Sequence, residues 1–240
     1  YAGLSIQGPN SRSLLKAVSP ADFSNDAFPF GSSKEIEVGY ATVRATRISY
    51  VGELGWELCI PSDMALHVYE VLTNAGSQFE LSNVGMHAMN SLRIEKAYRH
   101  WGHDITDEDT PIEAGLGFTV KYDKLGGFIG RDAILKQKHL GKISKRLVQF
   151  ILKDPEVMLY HNEPILRNGI ICGYITSGMY GHTVGAAVGL GYINNPVENG
   201  GVDVDYIQSG MYEIEVACKR FPAAASLYPI YDPKNEKIKA

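Results

Sequence analysis

A change of pattern near the middle of the chain constrains its fold more than anything else. Up to about residue 141, helix-spaced apolar positions alternate with short strand-like runs. From Lys145 onward, residues 147–152, 170–176, 187–193 and 212–216 read as short β segments separated by Gly, Asn and Pro turns, with no helix signal. The Asn168-Gly169 pair between Leu166 and Ile170 marks a tight hairpin. The expected architecture is therefore α+β: residues 1–141 form a mixed domain, and residues 142–240 a small antiparallel barrel or sandwich.

Within the first part, residues 4–7 read as a strand closed by Gly8-Pro9, and Asn10 or Ser11 caps a helix carrying Leu14, Leu15 and Val18. An irregular loop over 22–30 is expected to tuck Phe23, Phe28 and Phe30 inward. Strands follow at 36–40, 43–50 and 56–60, with neither face of 43–50 cleanly apolar. Ser62 is the expected cap of a helix over 63–75, with Ala65, Leu66, Val68, Tyr69 and Leu72 inward and Gly76 as its stop. A helix is expected over 85–99, a long polar loop over 100–115, a strand over 118–122, and a helix over 131–139 ended by Gly141. Long loops of that kind are disproportionately functional.

Bulk properties exclude several classes. At 240 residues, 45% hydrophobic and 21% charged, the chain can bury a sizeable core and is not disordered. A net charge of −4 gives no electrostatic reason to expect nucleic acid or an anionic membrane. No apolar run approaches the length of a transmembrane helix. The three cysteines, Cys59, Cys172 and Cys218, lie far apart among apolar neighbours and are expected as buried reduced thiols, which favours a reducing compartment. The start Tyr1-Ala-Gly-Leu4, with no initiator Met and no signal segment, reads as a piece of something longer.

The most chemically suggestive stretch is Arg47-Ile-Ser-Tyr50-Val-Gly-Glu53-Leu-Gly-Trp56-Glu57-Leu58. Two glycines allow a tight turn that holds an aromatic hydroxyl and an acid at fixed separation. A ring can stack on a flat heterocycle, and a carboxylate can accept two parallel N–H bonds from an amino-pyrimidine edge. A plain hairpin with charges facing water satisfies the same residues.

The remaining clusters have bland readings. His100, His103 and Asp104 lack a third ligand at supporting spacing, so a loop-bracing group is expected and no metal site. No nucleophile elbow or phosphate loop is present, and the glycines of 185–191 suggest close strand packing. Arg93 and Glu95 are expected on an exposed charged face. Glu113 is expected to hold its loop by accepting backbone N–H bonds.

Taken together, Tyr50-Val-Gly-Glu53-Leu-Gly-Trp56-Glu57, Ser91-Leu-Arg93-Ile-Glu95-Lys96, Trp101-Gly-His-Asp104, Thr110-Pro-Ile-Glu113-Ala-Gly-Leu116, Phe128-Ile-Gly-Arg131 and Thr176-Ser-Gly178 resemble the folate-binding aminomethyltransferase family, which includes the glycine-cleavage T-protein. The likeness covers essentially the whole chain. It is strongest to the C-terminal region of sarcosine dehydrogenase-type flavoenzymes, through Leu4-Ser-Ile-Gln7, Lys96-Ala-Tyr-Arg-His-Trp101 and Asp232-Pro-Lys-Asn235. Dimethylglycine dehydrogenases come second, and a non-catalytic branch such as the pyruvate dehydrogenase phosphatase regulatory subunit shares the architecture.

The resemblance implies a partial aminomethyltransferase-type domain followed by the barrel. It implies tetrahydrofolate as cofactor, a small N-methyl amino acid as the amine source, and FAD in a domain absent here. It also implies capture of the imine-derived carbon as 5,10-methylenetetrahydrofolate and a mitochondrial matrix location. Tyr50 and Glu57 match the family's pterin-contacting pair, and Tyr228 a C-terminal tyrosine lining the same site. A folate-contacting Arg of the family is replaced by Met89, for which Arg93 is expected to compensate. The family's catalytic acid lies upstream of Tyr1, so no catalytic residue is assigned, and the fragment is expected to bind but not to turn over alone. The third relative considered, a folate-dependent iron–sulfur or tRNA-modification protein, carries a Lys-Gly-Cys-Tyr segment that this chain lacks.

Overall fold

The computed structural model describes every residue, Tyr1–Ala240. Contacts divide it into two compact units, one of Tyr1–Met89 with Asp232–Ala240, the other of Asn90–Tyr231. The cut falls elsewhere than the expected boundary after residue 141. Sequence texture marks where strands become frequent, whereas compactness follows which segments share a core.

The first unit is built on a four-stranded antiparallel sheet of β1 (Ala2–Gln7), β2 (Ser33–Val38), β3 (Ala41–Thr46) and β4 (Gly55–Ile60), in the order β1-β4-β3-β2. Two helices, α1 (Ser11–Val18) and α2 (Ala65–Gly76), contribute Leu14, Leu15, Val68 and Leu72 to its core. Alternation along β3 is cleaner than expected: Ala41, Val43 and Ala45 are buried, while Thr42 and Arg44 are exposed. Alanines blurred the pattern, because a small side chain scores as weakly apolar yet fits a tightly covered face.

Phe23 and Phe28 stack with centroids 5.9 Å apart, and both meet Trp56 edge-on at 5.4 and 6.0 Å. All three are fully buried, and such rings dominate core energetics. Phe30, expected beside them, is 41% exposed. The α2 expectation is corrected at both ends. A 3₁₀ turn, Ser62–Met64, precedes the helix, and no side chain caps it. Gly76 remains helical, and the chain leaves the helical region only at Glu80, with φ 58°. The inward stripe is also narrower, since Leu66 and Tyr69 are exposed.

The second unit contains a closed barrel of β5 (Lys145–Leu152), β6 (Pro164–Arg167), β7 (Ile170–Gly181), β8 (Ala186–Asn194), β9 (Tyr212–Val216) and β10 (Lys219–Ser226), ordered β10-β5-β8-β7-β6-β9. Closure removes every free edge. The β6–β7 hairpin turns on Asn168 and Gly169, with φ 52° and 81°, a left-handed pair that Asn-Gly adopts at low cost. Every residue of β8 up to Ile193 is buried. Its glycines are steric: a Cβ on Gly191 would lie 2.6 Å from Ile165 Cδ1, and one on Gly173 of β7 only 1.8 Å from the Tyr192 carbonyl oxygen.

Helix α3 (Met86–Glu95) is shorter than expected, and α4 (Arg131–Leu140) ends at Gly141 as expected. The strand expected over 118–122 is instead a 3₁₀ turn, Gly117–Thr119, with Phe118 exposed. A short helix went unrecognised, α5 (Val204–Gln208), capped by Asp203 accepting from the Tyr206 N–H at 2.7 Å. The strand β6 is the first arm of the expected Asn168-Gly169 hairpin, whereas β10 was not recognised, its Phe221-Pro222-Ala-Ala run carrying a proline that disfavours a strand. Cys59 and Cys218 are exposed and Cys172 is half-buried, so the cysteines are not the core thiols expected. Cys59 falls on the outward parity of β4, and Cys218 sits in the β9–β10 turn.

Candidate functional site

The turn between β3 and β4 is held from several sides. Ser49 Oγ accepts from the backbone N–H of Val51 and Glu53, at 3.3 and 3.2 Å. The Leu54 carbonyl accepts from the Gly8 N–H at 2.8 Å and from Ser11 Oγ at 3.0 Å. Gln7 Nε2 donates to the Ile48 carbonyl at 3.3 Å. A Cβ at Gly55 would lie 2.0 Å from Gln7 Oε1, so only glycine lets this turn close on β1. Tyr50 and Glu53 sit half-buried on this braced loop.

At the base of the turn, Arg47 is 1% exposed. Its Nη1 donates to the Phe28 carbonyl at 2.9 Å and to Asn25 Oδ1 at 2.7 Å, and its guanidinium lies 5.5 Å from the Trp56 ring centroid. Burial, then the neighbouring Arg12, pulls its pKa down. Nothing in the sequence marked it, because an Arg is buried only where carbonyls and a ring from distant segments happen to converge.

Glu57 stands on β4 directly across from Ser5 of β1 and Thr46 of β3. Strand alternation sends Trp56 into the core and Glu57 to the opposite face, where it is half-buried. Its neighbours on that face are small hydroxyl residues, and its carboxylate makes no hydrogen bond or ion pair within the chain. The turn motif thus presents a fixed, unengaged acceptor on a rigid strand.

The other expected residues belong to the second unit. Tyr228 is 74% exposed after β10, in a turn where Ser226 Oγ donates to its carbonyl at 2.7 Å. Arg93 is not the exposed or ligand-facing residue that was expected. Its Nη1 donates to Asp104 Oδ2 at 2.7 Å and to the Tyr98 carbonyl at 2.9 Å, its Nη2 to Ser177 Oγ at 2.9 Å, and its Nε to Asn90 Oδ1 at 3.0 Å. With the pair's side chains 3% and 0% exposed, this guanidinium braces α3 against the barrel and presents no free face.

Asp104 completes that brace by accepting from Thr176 Oγ1 at 2.5 Å and from the His100 N–H at 2.9 Å. Glu95 is likewise buried, and its Oε1 accepts from the Thr183 and Val184 N–H groups at 2.7 and 3.0 Å, fixing the β7–β8 turn. Glu113 does what its position suggested, accepting from the Thr110 N–H at 3.0 Å.

This geometry defines a class: an α+β unit with an acid-bearing glycine turn, together with a six-stranded barrel. The same architecture occurs in the glycine-cleavage aminomethyltransferase T from Bartonella henselae, with a TM-score of 0.79 over 96% of this chain and 60% of that one, at 24% identity. The GCVT N-terminal domain model matches residues 1–124, and the glycine cleavage T-protein C-terminal barrel domain model matches 145–232.

The chain belongs to the glycine-cleavage T-protein (aminomethyltransferase) family. It is 40% identical over 240 residues to 4-methylaminobutanoate oxidase (formaldehyde-forming) of Paenarthrobacter nicotinovorans, covering 99% of this chain and 28% of that protein. It is 41% identical to human mitochondrial sarcosine dehydrogenase, over 98% of this chain and 25% of that protein. It is also 41% identical to the mouse mitochondrial pyruvate dehydrogenase phosphatase regulatory subunit, over 96% and 27%. The chain spans about a quarter of the length of these curated relatives.

Proposed function

We propose that this chain is the tetrahydrofolate-binding region of a sarcosine dehydrogenase-like flavoenzyme, and that it captures an imine-derived carbon as 5,10-methylenetetrahydrofolate. The observation that carries the reading is Glu57, a half-buried strand carboxylate with no partner of its own, on a turn whose backbone is fixed from β1. Such an acid suits the paired N–H donors of an amino-pyrimidine edge. Tyr50 supplies a ring at the same turn, and Tyr228 an exposed ring in the second unit.

Tetrahydrofolate brings the amines that accept the carbon. The protein's part is to orient the pterin and hold water away from an iminium that would otherwise hydrolyse to formaldehyde. No residue of this chain is assigned as catalytic, and Arg93 is assigned to the scaffold. Amine oxidation and FAD are placed in another part of the full-length enzyme. The sarcosine and dimethylglycine dehydrogenases matched are mitochondrial proteins, which supports a matrix location.

Calorimetric titration with a reduced folate tests the reading. Tryptophan fluorescence is the poorer probe, because Trp56 is buried on the face of β4 opposite Glu57. Glu57→Gln should weaken binding about 10- to 100-fold, the worth of a hydrogen bond to a charged group. Unchanged affinity would remove the pterin assignment.

The 41% identity to the phosphatase regulatory subunit favours a second reading, a non-catalytic paralogue that regulates a partner. Turnover of sarcosine or dimethylglycine by the full-length protein, coupled to folate, separates the two.

A further inference from the structure

A cavity of about 470 Å³ lies wholly within the second unit, between the loop after Ile112, α4, the start of β5 and α5. Its size is that of a small-molecule site. Much of its wall is apolar, with Ile112, Ile143, Val202, Ile207 and Leu227. Two polar groups on that wall are unfinished. Arg146 donates from Nη1 to the Ile112 carbonyl at 2.8 Å, but its Nε is buried with no partner, and so is Gln137 Oε1.

Arg146 also lacks a counter-charge. No carboxylate lies within ion-pair distance of it, and burial alone pulls its pKa down. The environment concentrates positive charge. Across Gly115, a residue at φ +71°, stands the Arg99 guanidinium: a Cβ placed there would lie 2.7 Å from Arg99 Nη2 and 3.7 Å from Arg146 Nε. Lys138 lines the cavity with its Nζ 3.9 Å from the Tyr122 ring centroid. Asp203, the acid on the wall, is already occupied as the cap of α5. A partly buried guanidinium without an anion is costly, and its fork matches a carboxylate.

We propose that this cavity binds a small carboxylate with an apolar body. The carboxylate sits on the Arg146 guanidinium, and the hydrocarbon lies against Ile143, Val202 and Ile207. Gln137, on the same wall, donates an amide N–H to the second carboxylate oxygen. This site is independent of the folate reading, because it uses none of Tyr50, Glu57 or Tyr228.

The test is calorimetric and ligand-observed NMR titration of the intact chain with hexanoate, beside the isosteric hexanamide. Hexanoate should bind at least about 10-fold tighter than hexanamide, Arg146→Gln should weaken it about 30-fold, and Gln137→Leu several-fold. Gln137 lies on a partly exposed helix, so that variant should fold even if Arg146→Gln does not. Three results would overturn the proposal: no hexanoate binding up to 10 mM (roughly the floor for so few contacts), equal binding of the amide, or affinity unmoved by Gln137→Leu. Displacement of hexanoate by a reduced folate would also overturn it, by merging the two sites, while loss of folate binding in Glu57→Gln with hexanoate retained would support it.

Discussion

Replacing Asp104 with Asn is the sharpest test of how the second unit is held together. The substitution keeps shape and volume but removes the charge facing Arg93. The pair is separated by 2.7 Å, with side chains 3% and 0% exposed, so solvent cannot compensate the guanidinium left behind. Asn also offers one acceptor oxygen where Asp104 serves Arg93, Thr176 and the His100 N–H. Breaking a buried pair from one side costs about 3–5 kcal/mol, a large share of the roughly 5–15 kcal/mol that holds a domain folded. For a unit of this size the midpoint of thermal unfolding should fall by about 6–20 °C.

Urea denaturation followed by circular dichroism gives the free energy directly. The double variant Arg93→Leu with Asp104→Leu should recover only part of the loss, because it leaves no charge unmatched but strips the Tyr98 carbonyl, Ser177, Thr176 and the His100 N–H of their partners. A cost below about 1 kcal/mol for Asp104→Asn, the value of an exposed pair, would refute the buried-brace account.

Acid stability should depend on Asp109. Burial raises its carboxyl, but the hydrogen bonds from Lys145 and Thr106 outweigh this and leave it below the ordinary range. A depressed folded pKa stabilises above the unfolded value of about 4 and is lost as pH falls through the folded one. Asp109→Asn should therefore flatten the acid limb of a stability–pH profile below about pH 4, and an unchanged limb would count against the pair. Alkylation at pH 8 read by mass spectrometry should label the exposed Cys59 and Cys218 first, because burial pushes the Cys172 thiol up to about 11; equal labelling of all three would contradict this. Gly173→Ala should destabilise by about 2–4 kcal/mol in denaturant melts, since its Cβ would meet the Tyr192 carbonyl at 1.8 Å and β7 cannot shift inside a closed barrel; a loss under about 0.5 kcal/mol would show that it can.

Local rules made part of this molecule legible from its residues. The Asn168-Gly169 turn, the Gly141 helix end, the amphipathic spacing of Leu14, Leu15, Val68 and Leu72, and the Glu113 loop bond depend on neighbours within a few positions. Family membership was legible for the same reason, since ordered motifs such as the Tyr50–Glu57 turn survive as linear patterns. Burial of charge was not. Arg93 and Glu95 read as an exposed charged face, Asp104 as part of a local loop brace, and Arg47 carried no role of its own, so only tertiary structure decided their burial. Their partners, such as Ser177 and Thr176 for Arg93 and Asp104, or Thr183 for Glu95, lie about 70 to 90 positions away, and a charge leaves water only where such partners meet it. The unfinished Arg146 and Gln137 were hidden for the same reason, because a cavity is a property of packed surfaces and leaves no mark on the order of residues.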